Sequence, residues 1–290
     1  MALGTDHQTT TTGAVFIPEV WSPEILRATE AALVTAPLVK RFDSDVSGKG
    51  DTIHVPNLSN LTVSDKSANT QVTLQAPTET SVTISIDKHK EASFLIEDIL
   101  KVQSNYSHMS EYTQKAGYAI AKQVDTDILG LYSDLTTTDV GTYGEDITNN
   151  TLLKACETLN LNNVPFEDRA LLIYPTQLTA IMKLDRFIKS DYLGEYQKAT
   201  PVQTGPNSRY KWGDIYGIPV YYTTQVTQTA GTPTQTHNIL FQKEAFALAM
   251  QVSPRVQSDY ILEYIGNLVV VDTIYGIKTI RDDFGVEIRS

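Results

Sequence analysis

A chain of 290 residues is long enough for one large domain or two modest ones, and for a substantial buried core. Hydrophobic residues make up 41% and charged residues 20%, an ordinary globular balance that excludes global disorder. Lys and Arg total 23 against 34 Asp and Glu, a formal charge of -11; with no basic cluster to neutralise phosphates, tight nucleic-acid binding is excluded, although an acidic surface can sit beside DNA without adhering. No run approaches the roughly 18 apolar residues of a membrane span, and residues 1–12 lack the basic start and apolar centre of a signal peptide. The single cysteine, Cys156, can form neither an internal disulfide nor a cysteine-based metal site, and fits a reducing compartment.

In chain order, the Thr-rich start (Thr9 to Thr12) reads as a flexible arm. Ser22-Pro23-Glu24 then supplies a cap, a first-turn proline and an acid for a short helix carrying Ile25, Leu26, Ala28, Ala32 and Leu33, closed by Pro37. Residues 38–46 and 52–55 look extended and joined by Ser47-Gly48-Lys49-Gly50, which predicts a hairpin. Residues 57–80 are rich in Ser, Thr, Asn and Gln, with isolated apolar positions at Leu58, Leu61, Val63, Val72 and Leu74. So little apolar surface cannot offset the entropy of ordering the segment, so something outside its own domain must hold it. Val82, Ile84 and Ile86 alternate with polar residues as in a strand with one buried face.

The strongest helical stripe runs over residues 107–131 through Met109, Tyr112, Ala116, Ala119, Ile120, Val124, Ile128 and Leu131, a rod of roughly 37 Å. A second helix is expected at Leu152, Leu153, Cys156 and Leu159. After it come a buried strand over 170–174 and, past Pro175, a helix with Leu178, Ile181, Met182 and Leu184. Residues 185–212 lack a period and predict a long loop. Residues 215–223, with Gly217 and Pro219, read as an edge strand, because proline cannot donate to a central ladder. A strand at 238–241, a short helix at 244–250 and strands at 268–280 and 286–288 complete the chain.

Residues able to carry chemistry do not assemble into a motif. Asp125-Thr126-Asp127 with Gly130 resembles the start of a calcium loop, but Leu129 and Thr136 occupy ligand positions; a solvated helix face or an intersubunit salt bridge is the expectation. His7, His54, His89, His108 and His237 show no metal-site spacing, although His54 and His89 would face each other if their strands pair. There is no Gly-x-Ser-x-Gly elbow. Gly48-Lys49-Gly50 lacks the pattern of a phosphate loop, and Cys156 reads as a small buried thiol. Asp282 and Asp283 are adjacent and would point to opposite faces of a strand. Tyr192, Tyr196, Tyr210, Tyr216, Tyr221 and Tyr222 concentrate in one region, as in either an interface or ordinary packing. No cofactor is implied.

The ordered set of motifs resembles the major capsid proteins of tailed double-stranded DNA bacteriophages with the Hong Kong 97-like fold. Phe16-Ile17-Pro18-Glu19 is similar to the family's N-terminal arm, and Gly48-Lys49-Gly50-Asp51-Thr52-Ile53-His54-Val55-Pro56 to the strand entering its extended loop. Ile86-Asp87-Lys88 with Ile96-Glu97-Asp98 is similar to the return of that loop, and residues 116–129 to the spine helix. Tyr174-Pro175, Gly213-Asp214-Ile215-Tyr216-Gly217-Ile218-Pro219-Val220, Phe241-Gln242-Lys243-Glu244-Ala245-Phe246 and Tyr275-Gly276 near Arg281-Asp282 continue the likeness.

The resemblance implies an α+β fold. Its parts would be an arm and short helix (1–36), a peripheral domain with the spine helix (37–56 and 81–138), an extended β loop (57–80), an axial α/β domain (139–243) and return strands of the peripheral domain (244–290). It implies no enzyme but a shell of hexamers and pentamers enclosing double-stranded DNA without specific binding, assembled in the host cytoplasm, with no membrane. Leu58, Leu61, Val63, Lys66, Val72 and Leu74 of the loop, and Phe16, Ile17 and Trp21 of the arm, would contact neighbours. About fifteen residues precede the arm, so a separate scaffolding protein, or a sequence already processed, is expected, together with a portal. Some members join a loop lysine to a neighbour's asparagine; Lys66 could offer the amine, but no asparagine follows Asn267, so that bond is not expected. The alternative on the same fold is an encapsulin-like compartment; the enzymatic alternative is an α/β hydrolase using His89 or His108.

Overall fold

The computed structural model describes residues 34–46, 50–58, 61–72, 74–98, 108–184 and 211–290. The arm residues Phe16, Ile17 and Trp21, the first helix, the Ser47-Gly48-Lys49 turn and the predicted loop over 185–210 lie outside them. Among the described residues three α-helices and thirteen strands are arranged in an α+β fold. The strands are β1 (Lys40–Arg41), β2 (Thr52–Leu58), β3 (Glu79–Ser85), β4 (Lys88–Glu97), β5 (Val140–Gly141), β6 (Arg169–Ile173) and β7 (Lys211–Ile215). There follow β8 (Ile218–Tyr222), β9 (Gln228–Thr229), β10 (Gln235–Gln242), β11 (Phe246–Ile261), β12 (Gly266–Thr279) and β13 (Gly285–Arg289). The helices are α1 (His108–Leu129), α2 (Asn149–Leu161) and α3 (Pro175–Met182).

A four-stranded sheet has the order β1-β11-β12-β4, and α1 packs across it. A seven-stranded sheet runs β5-β13-β10-β6-β8-β7, with β9 beside β10. A two-stranded ribbon, β2-β3, stands apart. One apolar cluster runs from Val124 and Ile128 of α1 through Phe246 and Phe241 to Leu172, Val220 and Ile288, so the two large sheets share a core. The last strand, β13, which the sequence groups with the return strands at 244–290, hydrogen-bonds between β10 and β5 in the seven-stranded sheet.

Helix α1 buries Ala116, Ile120, Val124 and Ile128 at four-residue steps, flanked by Ala121, Asp125 and Leu129. Tyr112 and Ala119, expected on the stripe, are exposed. Ala119 lies one helical step (about 100°) off the stripe centre, where alanine costs nothing in helix propensity, and Tyr112 hangs at the sheet margin beside Phe94, ring centroids 5.9 Å apart. In α2, Thr148 caps the first turn by accepting from Thr151 N at 3.2 Å; Leu152, Ala155 and Leu159 face the core while Leu153 is exposed. All of β6 is buried, as its continuous apolar run requires, and Pro175 opens α3.

Three expectations are corrected. Residues 38–46 do not form a hairpin with 52–55: β1 pairs in parallel with β11, and β2 pairs with β3 in the register Thr52↔Ser85 to Leu58↔Glu79. Residues 244–250 are not helical but open β11, where Phe246 to Met250 are all buried between β1 and β12. A strand covered on both faces has no alternation to betray it. The strand carrying Pro219 is interior, between β6 and β7. Its ladder with β6 begins at Val220, one residue after the proline, and the edge is β7, joined through Tyr216 and Gly217, both at positive φ.

Candidate functional site

The ribbon and its tip expose five large aliphatic side chains. The β2-β3 ladder ends at the Leu58↔Glu79 pair, and residues 61–66 run without regular structure to a turn at Ser67–Thr70. There Asn69 adopts positive φ, and Thr70 Oγ1 donates to Ser67 O at 2.7 Å. The two limbs meet at Thr62, whose N donates to Gln75 Oε1 at 2.9 Å and whose O accepts from Gln75 Nε2. Every candidate residue of this loop is exposed: Val63 fully, Leu74 at 87%, with Leu58, Leu61 and Val72 also open. Lys66 is exposed with no ion pair among the described residues. Whatever covers these side chains is not the described part of the chain.

The root of the ribbon is held firmly. Ile84 is buried with Val46, Ala247 and Ala249, and Ile86 N donates to Asp51 O at 2.8 Å. Gly276 of β12 lies against Ser85; a Cβ there would sit 2.3 Å from Ser85 O. Lys88 pairs with Asp127 at 3.3 Å, and the Tyr275 hydroxyl donates to the same carboxylate at 2.8 Å, its pKa driven upward by burial and that bond. A rigid root with an open tip turns the ribbon into a lever aimed away from the body.

Asp125 corrects another expectation: it is no solvated helix face. The side chain is 2% exposed, and its carboxylate accepts from Val34 N at 3.1 Å and Thr35 N at 3.2 Å. Burial pushes its pKa up to about 6, opposed by those backbone donors. It clamps the segment that follows the arm onto α1, beside a cavity of about 110 Å³ lined by Tyr118, Lys122, Tyr222 and Gln225 among others. Its spacing in the stripe, four after Ala121 and three before Ile128, already places it on the buried face.

Among the described residues those weighed for catalysis are not brought together; His7 and the His108 side chain lie outside the description. His54 contacts Thr83 Oγ1 at 3.0 Å within the ribbon, whereas His89 on β4 approaches Asp272 Oδ2 at 3.2 Å, so the two histidines do not face each other. Arg255 also grips Asp272 with two bonds of 2.8 and 2.9 Å, holding that carboxyl below its ordinary range. His237 is buried, Nδ1 2.6 Å from Glu287 Oε1, with Tyr132 stacked on its ring at 4.1 Å. Asp282 accepts from Thr136 Oγ1 at 3.0 Å in a tight turn next to Asp283. Cys156 is half-buried, and burial pushes its thiol upward. Of the tyrosine group, Tyr221 is buried and Tyr216 donates to Asn149 Oδ1; Tyr192, Tyr196 and Tyr210 lie outside the described residues. Among the described residues no group of three or more His, Cys, Asp or Glu could hold a metal ion, and no helix is long and apolar enough to cross a membrane.

A scan against family models finds no match, and no curated protein matches the sequence. Solved structures do. A chain from Mycobacterium phage Che8 superposes with TM-score 0.70 at 21% identity, covering 88% of this chain and 90% of that one. The capsid of the cyanophage P-SCSP1u gives 0.67 at 20% identity over 87% and 86%. A virus-like particle from Pyrococcus furiosus gives 0.61 at 11% identity over 94% and 99%. The likeness spans nearly the full length of all three, so the α+β fold of this chain is that of phage capsid proteins.

Proposed function

We propose that this chain is a major capsid protein that self-assembles, as hexamers and pentamers, into an icosahedral head around a phage double-stranded DNA genome. The observation that carries the reading is the ribbon: firmly rooted, with open aliphatic side chains at its tip, on a fold shared with phage capsids. Leu58, Leu61, Val63, Lys66, Val72 and Leu74 then contact a neighbouring copy, and Phe16, Ile17 and Trp21 of the arm do the same. Residues 57–80 act as the extended loop, the sheet packed on α1 as the peripheral domain and the region from 139 to 243 as the axial domain. The role is structural rather than enzymatic. The net charge of -11 suits a wall that encloses DNA without binding it. A separate scaffolding protein and a portal complete the set of partners, and assembly takes place in the host cytoplasm.

The encapsulin-like compartment is the second reading, since the fold is also that of a virus-like particle from Pyrococcus furiosus, though with the lower TM-score of 0.61. Negative-stain microscopy of the chain coexpressed with its scaffolding protein tests the assembly: capsomers or closed shells are expected, and only compact monomers at high concentration contradict it. Portal and terminase genes beside this one favour the phage head; a cargo enzyme favours the compartment.

A further inference from the structure

The four-stranded sheet ends on β4, ten residues long, whose second edge has no ladder partner among the described residues. Alternate N–H and C=O groups of β4 therefore point away from β12 with no ladder partner among the described residues, the situation that proteins normally block or fill. The helix-side face of β4 reads Lys88, Lys90, Ala92, Phe94 and Ile96 in order. Near its margin Phe94 and Tyr112 form a half-open aromatic pair, with the Lys115 ammonium 5.9 Å from the Tyr112 ring.

The outgoing limb of the loop has the complementary defect. Leu61, Val63 and Asp65 alternate with Thr62, Ser64 and Lys66, a period-2 pattern without proline or glycine, yet no strand forms there. Its backbone lacks a ladder and its aliphatic side chains lack a cover. The return limb is a poorer strand, because Pro77 interrupts it.

We propose that the limb 61–66 of one copy adds as an antiparallel strand to the free edge of β4 in a second copy; this rests on the shell reading above. One register satisfies every position. Leu61 lies opposite Phe94, Val63 opposite Ala92 and Asp65 opposite Lys90 on the helix side. On the other face Thr62 lies opposite Ser93 and Ser64 opposite Glu91, while Lys66 lies opposite His89 and diagonal to Glu91. Leu61 and Val63 meet apolar residues, Asp65 meets Lys90 and Lys66 reaches Glu91 on the diagonal, pairings that stabilise neighbouring strands, and the added strand supplies the ladder that each partner lacks. The pattern in the sequence is thus a strand that forms only across the subunit boundary.

The test is cysteine pairing in assembled shells, in a Cys156→Ser background. Directly opposed strand residues have Cα atoms about 4.5–5.5 Å apart, within disulfide reach. Val63→Cys with Ala92→Cys is expected to give an interchain ladder on mild oxidation, and Val63→Cys with Ser93→Cys, on opposite faces, is expected to give none. Shells without the first ladder, equal linkage by both pairs, or a link within one chain overturns the strand addition and leaves the shell reading standing. Failure of the unaltered chain to assemble at all overturns both. Should the paired cysteines prevent folding, amide hydrogen exchange on the unaltered chain decides: protection along β4 must rise on assembly, and unchanged exchange overturns the proposal.

Discussion

Asp125 ties the segment after the arm to the long helix, and its protonation state sets how well it does so. Burial raises its pKa to about 6 from 3.8, so between those values the folded chain retains a proton that the unfolded chain has released. The stabilising contribution is complete below the unfolded value and is lost as the pH rises through the folded one, a change of roughly 3 kcal/mol. Asp125→Asn is therefore expected to flatten the dependence of urea stability on pH between 4 and 7 relative to the parent; parallel slopes contradict the assignment. Asp125→Ala at neutral pH leaves two buried backbone N–H groups without their acceptor, and chemical denaturation should show a loss of about 1–3 kcal/mol. The stripe spacing carried a signal for the buried position of Asp125 that the expectation of a solvated face passed over. Its partners carried none, because they lie about ninety residues away and are backbone groups that any residue carries. The His237–Glu287 and Arg255–Asp272 pairs carry no signal either, because the strand pairing that brings these side chains together is not written in their spacing.

Elements were legible where the apolar pattern is distinctive, as in the short apolar run of β6, and obscure where local preference points elsewhere. The alternation of Val82, Ile84 and Ile86 and the stripe of α1 each announce a periodicity, and the structure realises both. Phe246 to Met250, rich in Ala and Met, suits a helix by local preference, but tertiary burial between β1 and β12 overrides it. Phe246→Ala should cost about 3–5 kcal/mol in equilibrium unfolding, as for a large side chain in a rigid core; a loss below about 1 kcal/mol contradicts the central placement of this strand. The hairpin at 38–55 was misread because glycines promise a turn without saying which strands it joins. Gly276 exists to let the ribbon root approach β12, so Gly276→Ala should destabilise by about 1–3 kcal/mol through overpacking against Ser85. Thermal unfolding reads that loss, and an unchanged midpoint contradicts the close approach.

At the scale of the whole molecule, two sheets on one continuous core make a body that is complete without its loop. Leu58 and Glu79 are ladder partners, so an Asn-Gly turn can replace residues 59–78 and close a two-residue hairpin. The shortened chain is expected to keep its stability within about 0.5 kcal/mol while losing shells in electron micrographs; intact shells, or a lost cooperative melt, contradict the division between body and loop. The polarity of this segment predicts support from outside its own domain, and the proposed support, a second copy, is not legible in one sequence. Hydrogen exchange over residues 61–78, compared between dilute monomer and assembled shell, tests the central claim most directly. The account predicts rapid exchange in the monomer and strong protection after assembly. Protection already present in the isolated chain contradicts it.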